Sequence, residues 1–278
     1  MSIRPAGVAG SFYPGSAAEL RNYLNQIVSS EVKRRNKKIS PRHIIGGIVP
    51  HAGYKYAAKE AVHFFDFFKV SKETVETFLI INPSHSGAEH DISLDTHEAW
   101  NTPLGNVQLD AEFMDTINLP RSADAQLGEH SAEVIIPYLQ FFLNYKFKIV
   151  PITMRRQNYK NARMLAEKIY KAKELTNRKI ALIASTDFSH YEKPEMAFYN
   201  DNLVINRILD NSIRGLYDTI RENKISVCGY GPIMTLMFFS RMVYANYQVE
   251  ILARGNSSEK SDDDQELVVD YVSALFYS

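Results

Sequence analysis

The chain alternates short, continuous apolar runs with longer stretches in which apolar residues recur every three or four positions. Runs at residues 44–49, 77–82, 149–153 and 179–185, with later ones at 249–254 and 268–276, predict strands. A run such as Ile180-Ala-Leu-Ile-Ala has no polar face, which suits a strand covered on both sides in a mainly parallel sheet. Helical spacing predicts helices over 17–28, 57–68, 132–143, 161–172, 194–209 and 233–244, the first with Ser16 as its N-cap. Ala61, Phe64, Phe65 and Phe68 form one apolar stripe, and Val134, Ile135, Tyr138, Leu139 and Phe142 another. The helices at 161–172 and 194–209 are more polar and are expected to coat the surface, whereas 233–244 is apolar nearly all round and is expected to be buried. Between Ile92 and Asp110, a turn at Thr102-Pro-Leu-Gly105 flanked by short alternating runs predicts a hairpin excursion. Residues 257–265 are polar and acidic and predict a loop. The strand–helix alternation predicts one three-layer α/β domain over residues 1–278, with a mostly parallel or mixed central sheet and helices on both faces.

Composition narrows this only slightly. A hydrophobic share of 45% over 278 residues is enough for a sizeable core. The 32 basic and 32 acidic side chains cancel, so no global field draws the chain to nucleic acid or an anionic membrane. The one basic run, Lys33-Arg34-Arg35-Asn36-Lys37-Lys38, reads as a solvated loop. A single cysteine excludes an internal disulfide and fits a reducing compartment. No run approaches the roughly 18 apolar residues of a membrane span, and the start of the chain lacks the apolar stretch of a signal peptide. The expected location is the cytoplasm, without membrane insertion.

In open α/β sheets, ligands gather where strands end at their carboxyl side. Strand 44–49 runs into Pro50-His51-Ala52-Gly53, and strand 77–82 into Pro83-Ser84-His85-Ser86-Gly87. Strand 179–185 runs into Thr186-Asp187-Phe188-Ser189-His190, and Cys228-Gly229-Tyr230-Gly231-Pro232 precedes the buried helix. Two histidines in matched strand-exit positions and one thiol make a donor set for zinc, copper or iron rather than magnesium or calcium. Asp187 and His190 are candidates for orienting ligands or moving protons, and Glu129-His130-Ser131 offers a further acid or base. Each has a plainer reading. A lone histidine is commonly structural, Cys228 a small buried hydrophobe, Asp187 a turn cap and Ser131 a helix cap. The histidines at 43, 63, 90 and 97 read as structural or exposed. No HxxxH, CxxC, HExxH, GxSxG, GxxxxGK[ST] or GxGxxG pattern occurs, and no organic cofactor is expected.

Arg4-Pro-Ala-Gly-Val-Ala-Gly-Ser-Phe-Tyr-Pro resembles the opening of the Memo family, called AmmeMemoRadiSam system protein B in prokaryotes. The likeness continues through Pro50-His51-Ala52-Gly53-Tyr54, Asn82-Pro83-Ser84-His85 and Trp100-Asn101-Thr102-Pro103-Leu104-Gly105. It runs on through Glu129-His130-Ser131, Ser185–His190 and Cys228–Pro232, so it covers almost the whole chain in order. The resemblance implies the fold of the class III extradiol dioxygenases and a metal pocket of His51, His85 and Cys228. Asp187 and His190 would line that pocket, and His130 would match the family's Glu-His-Ser motif. The dioxygenases use a glutamate where this chain has Cys228, and a thiolate is softer and itself oxidisable, so ring cleavage does not follow from the fold. The resemblance also implies copper or iron chemistry, a peptide or small molecule in the pocket, and pathway partners of the radical-SAM and AMMECR1-like kinds. Three readings stand: a redox-type metal enzyme or metal-handling protein, a non-enzymatic binding module, and a dioxygenase-like or hydrolytic enzyme on a small aromatic or amide substrate.

Overall fold

The computed structural model describes residues 2–31, 41–71, 74–87, 89–260 and 266–278; the basic run at 33–38 and residues 261–265 of the acidic loop lie outside them. In chain order the strands are β1 (Ile3–Arg4), β2 (Ile44–Val49), β3 (Thr77–Pro83), β4 (Ile92–Leu94), β5 (Ala99–Thr102), β6 (Gly105–Gln108), β7 (Lys148–Met154), β8 (Ile180–Ser185), β9 (His190–Glu192), β10 (Gln248–Asn256) and β11 (Val268–Tyr277). The α-helices are α1 (Ala17–Glu31), α2 (Tyr54–Val70), α3 (Ala111–Ile117), α4 (Ile136–Phe142), α5 (Tyr159–Thr176), α6 (Pro194–Leu209), α7 (Ile213–Asn223) and α8 (Tyr230–Val243).

The main sheet runs β10-β11-β2-β8-β3-β7-β4, with β9 paired to β11 off this path. Its centre, β2-β8-β3-β7, is parallel, while β11 on one side and β4 on the other add antiparallel edges. The parallel strands are the continuous apolar runs, and every residue of β2, β3 and β8 is buried. Two adjacent glycines in β2 show how closely the layers press. A Cβ at Gly46 would strike Leu236 of α8, and one at Gly47 would strike Phe64 of α2. Consecutive strand residues point to opposite faces, so α2 and α8 cover the two faces of one sheet. That is the three-layer α/β arrangement. Helix α5 packs on α8, and α1 and α4 pack on α2.

Two expectations change. The stretch 92–110 is not one hairpin: β4 joins the main sheet against β7, and only β5 and β6 pair as a hairpin, with β1 added alongside. The predicted helix 132–143 begins as a 3-10 turn at Glu133–Ile135 and becomes α-helical at Ile136, where Pro137 supplies the fixed φ of a first turn. Helix α6 is less of a surface coat than its polarity predicts, because Asn200 and Asp201 face inward and are buried. Ser16 does cap α1, accepting from the Glu19 N–H at 3.3 Å while its hydroxyl reaches the Glu19 carboxylate at 2.7 Å. Within the loop predicted at 257–265, Ser257–Lys260 forms a 3-10 turn.

The N-terminal segment has no long strand or helix of its own until α1, yet it is pinned to the body by charge. Glu133, fully buried, accepts from Arg4 Nη1 at 2.5 Å, Gly7 N at 2.9 Å, Val8 N at 3.0 Å and Tyr13 Oη at 2.7 Å. Arg4 lies over the Trp100 ring at 4.2 Å and donates to the carbonyls of Gln126 and Glu129. The Arg4–Tyr13 stretch thus fixes the segment carrying Glu129, His130 and Ser131. Removing Glu133 leaves a buried guanidinium without its carboxylate, and breaking such a pair costs about 3–5 kcal/mol. Glu133→Ala is therefore expected to lower unfolding stability by about that amount in urea titration; a loss well below ~1 kcal/mol would contradict this anchoring role.

Candidate metal centre

Strands β2, β8 and β3 are neighbours, parallel, and finish at the same edge of the sheet. The residues that follow them meet there. His51 comes two positions after β2, His85 two after β3, and Asp187 two after β8. Cys228 is brought in from the other direction, on the turn before α8. Gly229, the N-cap of that helix, lies against Thr186, and a Cβ there would collide with the Thr186 side chain and the Ser185 carbonyl. The close approach is secured by Gly229 N–H donating to Thr186 Oγ1 at 2.8 Å and by Gln157 Nε2 donating to the Cys228 carbonyl at 2.7 Å.

One ligand atom each from His51, His85 and Cys228 lie within 4.8 Å of one another. Cys228 Sγ is 3.4 Å from His51 Nε2, and the ring centroids of His51 and His85 are 5.2 Å apart, edge to face. The hydrogen bonds behind the rings decide which nitrogen is free. Ser185 Oγ donates to the Ser131 carbonyl at 2.5 Å, so toward His51 Nδ1, 2.9 Å away, it accepts. The proton of neutral His51 therefore sits on Nδ1 and the Nε2 lone pair faces the thiol. On His85, Nδ1 donates to Glu129 Oε1 at 3.0 Å and the backbone N–H donates to Oε2 at 2.6 Å. A carboxylate cannot donate, so a neutral His85 also keeps Nε2 free. Carboxylate or hydroxyl partners behind the ring are the usual supports of metal-bound histidine.

Glu129 is the hub of this arrangement. It is fully buried, and besides His85 it accepts from Ser131 N at 3.0 Å and Ser131 Oγ at 2.6 Å. Burial alone would raise its carboxyl, but the donors from His85 and Ser131 outweigh that and hold it down at about 2. His85 is raised above its ordinary value, chiefly by the hydrogen bond to Glu129. His51 moves the other way: burial first, then the nearby His130 and His85, hold it well below the ordinary histidine range, so it stays neutral. The Cys228 thiol is pushed up by burial and by the charge of Asp187. Without a bound cation it is a protonated thiol, which argues against a free cysteine nucleophile.

The remaining predicted residues fall around these three. Asp187 is buried; its Oδ1 accepts from His51 N at 2.8 Å and Ala52 N at 3.3 Å, while Oδ2 lies 3.9 Å from His51 Nε2. Burial raises its carboxyl above the ordinary aspartate range. It is thus more than a cap of its own turn, since it ties the exit of β8 to the exit of β2. His190 Nδ1 donates to the Ser226 carbonyl at 2.8 Å, which leaves its Nε2 free, and its charge is felt by both His51 and Asp187. His130 stacks on His85 with centroids 4.9 Å apart and meets Phe12 at a tilt with centroids 4.5 Å apart, and burial lowers its pKa. His85, Glu129 and His130 form a second close group, but the Glu129 oxygens are already committed to hydrogen bonds, so that group is a support rather than a separate ligand set.

The sequence offered Glu129-His130-Ser131 as a source of acid or base, with His130 as the site residue and Ser131 as a helix cap. The structure gives the larger roles to Glu129 and Ser131, and adds Ser185. Ser131 is not a helix cap: its hydroxyl turns back to Glu129 and its carbonyl takes the Ser185 proton. The signal was available in principle, as a buried-looking acid two residues before a serine, but only the fold shows where they point. Of the other histidines, His43 stacks on Tyr244 and His97 Nδ1 meets Asp95 at 2.9 Å, both away from this cluster. A cavity of about 630 Å³ lined by Leu104, Val107, Phe147, Lys148 and Arg178 opens at the other end of the strands, by the starts of β3 and β7.

Fold and site together define an α/β protein with a His/His/Cys cluster at the carboxyl edge of a parallel sheet. The chain belongs to the Memo family: residues 4–275 match the family described as Memo-like protein. It is 33% identical to a MEMO1 family protein of Sulfurisphaera tokodaii over 285 residues, and 34% identical to one of Methanosarcina mazei over 279, each covering 99% of both chains. A MEMO1 family protein of Methanobrevibacter smithii is 36% identical with the same coverage. Among solved structures, an uncharacterized protein from Escherichia coli K12 superposes with a TM-score of 0.48 at 12% identity, over 77% of this chain and 91% of that one. No described helix is long and apolar enough to cross a membrane.

The Glu129 shift has a definite sign. A carboxyl held at about 2 in the fold, against an ordinary 4.5, contributes stability that is present above pH 4.5 and lost as pH falls toward 2. His85 has the opposite sense, its contribution being lost as pH rises through its raised folded-state value. Glu129→Gln should therefore be less stable than wild type near neutral pH, with the gap closing as pH falls through the glutamate range. A gap that is constant across acid titration would contradict the anchoring role.

Proposed function

We propose that this chain holds a copper or iron ion, with zinc as the next choice, on His51, His85 and Cys228, and that it works as a metal-dependent oxidoreductase or a copper- or iron-handling protein. One observation carries the reading. The hydrogen bonds at Ser185 and Glu129 commit both Nδ1 atoms and leave both Nε2 lone pairs free, in a group where one ligand atom from each histidine and the Cys228 sulfur lie within 4.8 Å of one another. The spacing fits: with M–N near 2.0–2.1 Å and M–S near 2.3 Å, tetrahedral donors lie roughly 3.5 Å apart, and Cys228 Sγ to His51 Nε2 is 3.4 Å. A thiolate with two imidazoles suits copper, iron or zinc and disfavours magnesium and calcium. A cation also removes the obstacle to thiol ionisation, because its charge offsets the burial that raises Cys228.

When bound, such an ion supplies an open coordination position and, for copper or iron, one-electron chemistry. The protein groups around it divide the rest. Asp187 Oδ2 lies beside His51 Nε2 and is placed to take or return a proton. His190, its Nδ1 tied to Ser226, presents Nε2 as a second proton carrier. His130 and Phe12 extend the His85 ring into an aromatic shelf at the accessible side. Cys228 stands where the dioxygenases have their glutamate ligand, so ring cleavage is the weaker use of the site.

A second reading is favoured by the surface beside His190. Tyr191, Met196, Phe198 and Tyr199 are large apolar side chains exposed by 51–75%, which suits a peptide or partner protein docking next to the cluster. Partner capture that is indifferent to chelators and to loss of Cys228 would favour that reading.

Competition titration of anaerobic apo-protein with Cu(I), Fe(II) and Zn(II) tests the main one. One ion per chain is expected, with Cys228→Ala and His85→Ala weakening it strongly and Ser185→Ala by about 10–100-fold through loss of the His51 support. Variants that bind as tightly as wild type would overturn the assignment.

A further inference from the structure

The segment that carries Asp187 and His190 is held from behind by a buried group the centre does not use. Ser189 sits between those two residues, and both its N–H, at 3.1 Å, and its hydroxyl, at 2.6 Å, donate to Asp201 Oδ1 of α6. Backbone bonds lace the same segment to β11: Phe188 N–H donates to the Asp270 carbonyl at 2.8 Å, and Asp270 N–H donates to the Ser189 carbonyl at 2.9 Å. Asp201 is fully buried and Asp270 is 4% exposed, and their Oδ2 atoms share one guanidinium nitrogen, Arg254 Nη2, at 3.4 and 3.3 Å. Arg254 is itself braced by Asn202 Oδ1 at 2.8 Å and by the Phe198 ring at 4.2 Å. Two buried carboxyls therefore face one cation.

The charge count in this place does not allow both to ionise cheaply. Among the described residues, Glu195 of α6 and Glu259 of the Ser257–Lys260 turn line the same cavity as Arg254 and Asp270, and Glu60 of α2 reaches Gly255 next to Arg254. Glu31, Lys59 and His63 line a second cavity with Arg254, so Lys59 is the one further lysine or arginine against four glutamates. Asp270 Oδ1 is buried with no hydrogen-bond donor among the described residues, as expected if its missing partner is a proton on Asp201. Burial and the neighbouring Asp270 also raise the Asp201 carboxyl well above the ordinary aspartate range. The clamp acts on a strained point: Tyr191, next to His190, has φ 56°, a left-handed conformation that a bulky residue keeps only when its surroundings impose it.

We propose that Asp201 and Asp270 share a single proton and, with Arg254, form a clamp that positions the Asp187–His190 segment, making Asp201 a positioning residue of the candidate centre. This rests on Asp187 and His190 belonging to that centre, but the clamp itself does not depend on any metal. With one proton in the pair, one carboxylate balances Arg254 and Ser189 is gripped. Loss of that proton leaves two carboxylates on one guanidinium; because the Ser189 donors favour the ionised Asp201, the relief is for Asp270 to part from Asp201, and with it the Phe188–Ser189 backbone that Asp270 holds. For an acid whose folded-state value is raised, the unfolded chain loses its proton first. Stability from this pair therefore declines as pH rises from the ordinary aspartate range through the folded-state value.

Carbon-13 NMR of the full-length, metal-free chain from about pH 6 to about pH 10 tests this, following the Asp201 carboxyl together with Ser189 Cβ. In wild type, both signals should move with one shared midpoint above neutrality. Asp201→Asn keeps an acceptor for Ser189 and offers an N–H to Asp270, so it should retain the neutral-pH Ser189 signal and show no transition. Asp201→Ala should displace the Ser189 signal at every pH. A Ser189 signal that does not titrate in wild type, or one that titrates unchanged in Asp201→Asn, would overturn the proposal. A wild type that binds no metal would sink the metal reading while leaving this measurement intact.

Discussion

A single buried carboxylate sets the geometry of the centre. Glu129 is enclosed by protein, stays ionised because four donor contacts from His85 and Ser131 surround it, and so fixes two neighbours at once. One is the His85 ring. The other is Ser131, whose carbonyl takes the Ser185 hydroxyl proton and so dictates which nitrogen of His51 carries hydrogen. Two histidines from different strands are thus oriented by one connected network. Breaking such a network at one member leaves the others with unpaired buried groups, which is why its parts act together. Glu129 is in turn held in place by the Arg4–Glu133 pair, through Arg4 donating to the Glu129 carbonyl.

The lone cysteine sets the chemical character of the cluster. Its thiol accepts from Asp187 N–H at 3.2 Å and lies against Thr186 and His51, in a place where burial disfavours the thiolate. On the proposed reading, a cation would supply the positive charge that the thiolate needs. A sulfur ligand in place of the dioxygenases' carboxylate would favour softer ions such as copper.

Much of this was readable in the chain before folding. The continuous apolar runs that became β2, β3 and β8 marked a buried parallel sheet, and the strand-exit rule then selected His51, His85 and Asp187 without further help. Cys228 was harder, because it lies 177 residues from His51 in sequence and only the approach of Gly229 to Thr186 brings it in. The supporting residues were the least legible. Glu129, Ser131 and Ser185 are ordinary residues whose meaning lies in the direction of their side chains, which residue spacing does not encode, just as periodicity reads the 3-10 turn at Glu133–Ile135 as plain helix. Helix α7 was overlooked although Ile213, Leu216 and Ile220 repeat at helical spacing, since the stretch is otherwise polar. Strand β4 was misassigned because three residues cannot reveal which neighbour they will pair with.

The proposed centre stands or falls on whether the sulfur and both imidazoles bind one ion together. X-ray absorption at the metal edge of copper- or iron-loaded protein measures this directly. A single sulfur scatterer at about 2.3 Å with two imidazole nitrogens near 2.0–2.1 Å, the sulfur contribution vanishing in Cys228→Ala, is the result the account predicts. A shell of oxygen and nitrogen alone, unchanged by loss of Cys228, would contradict it.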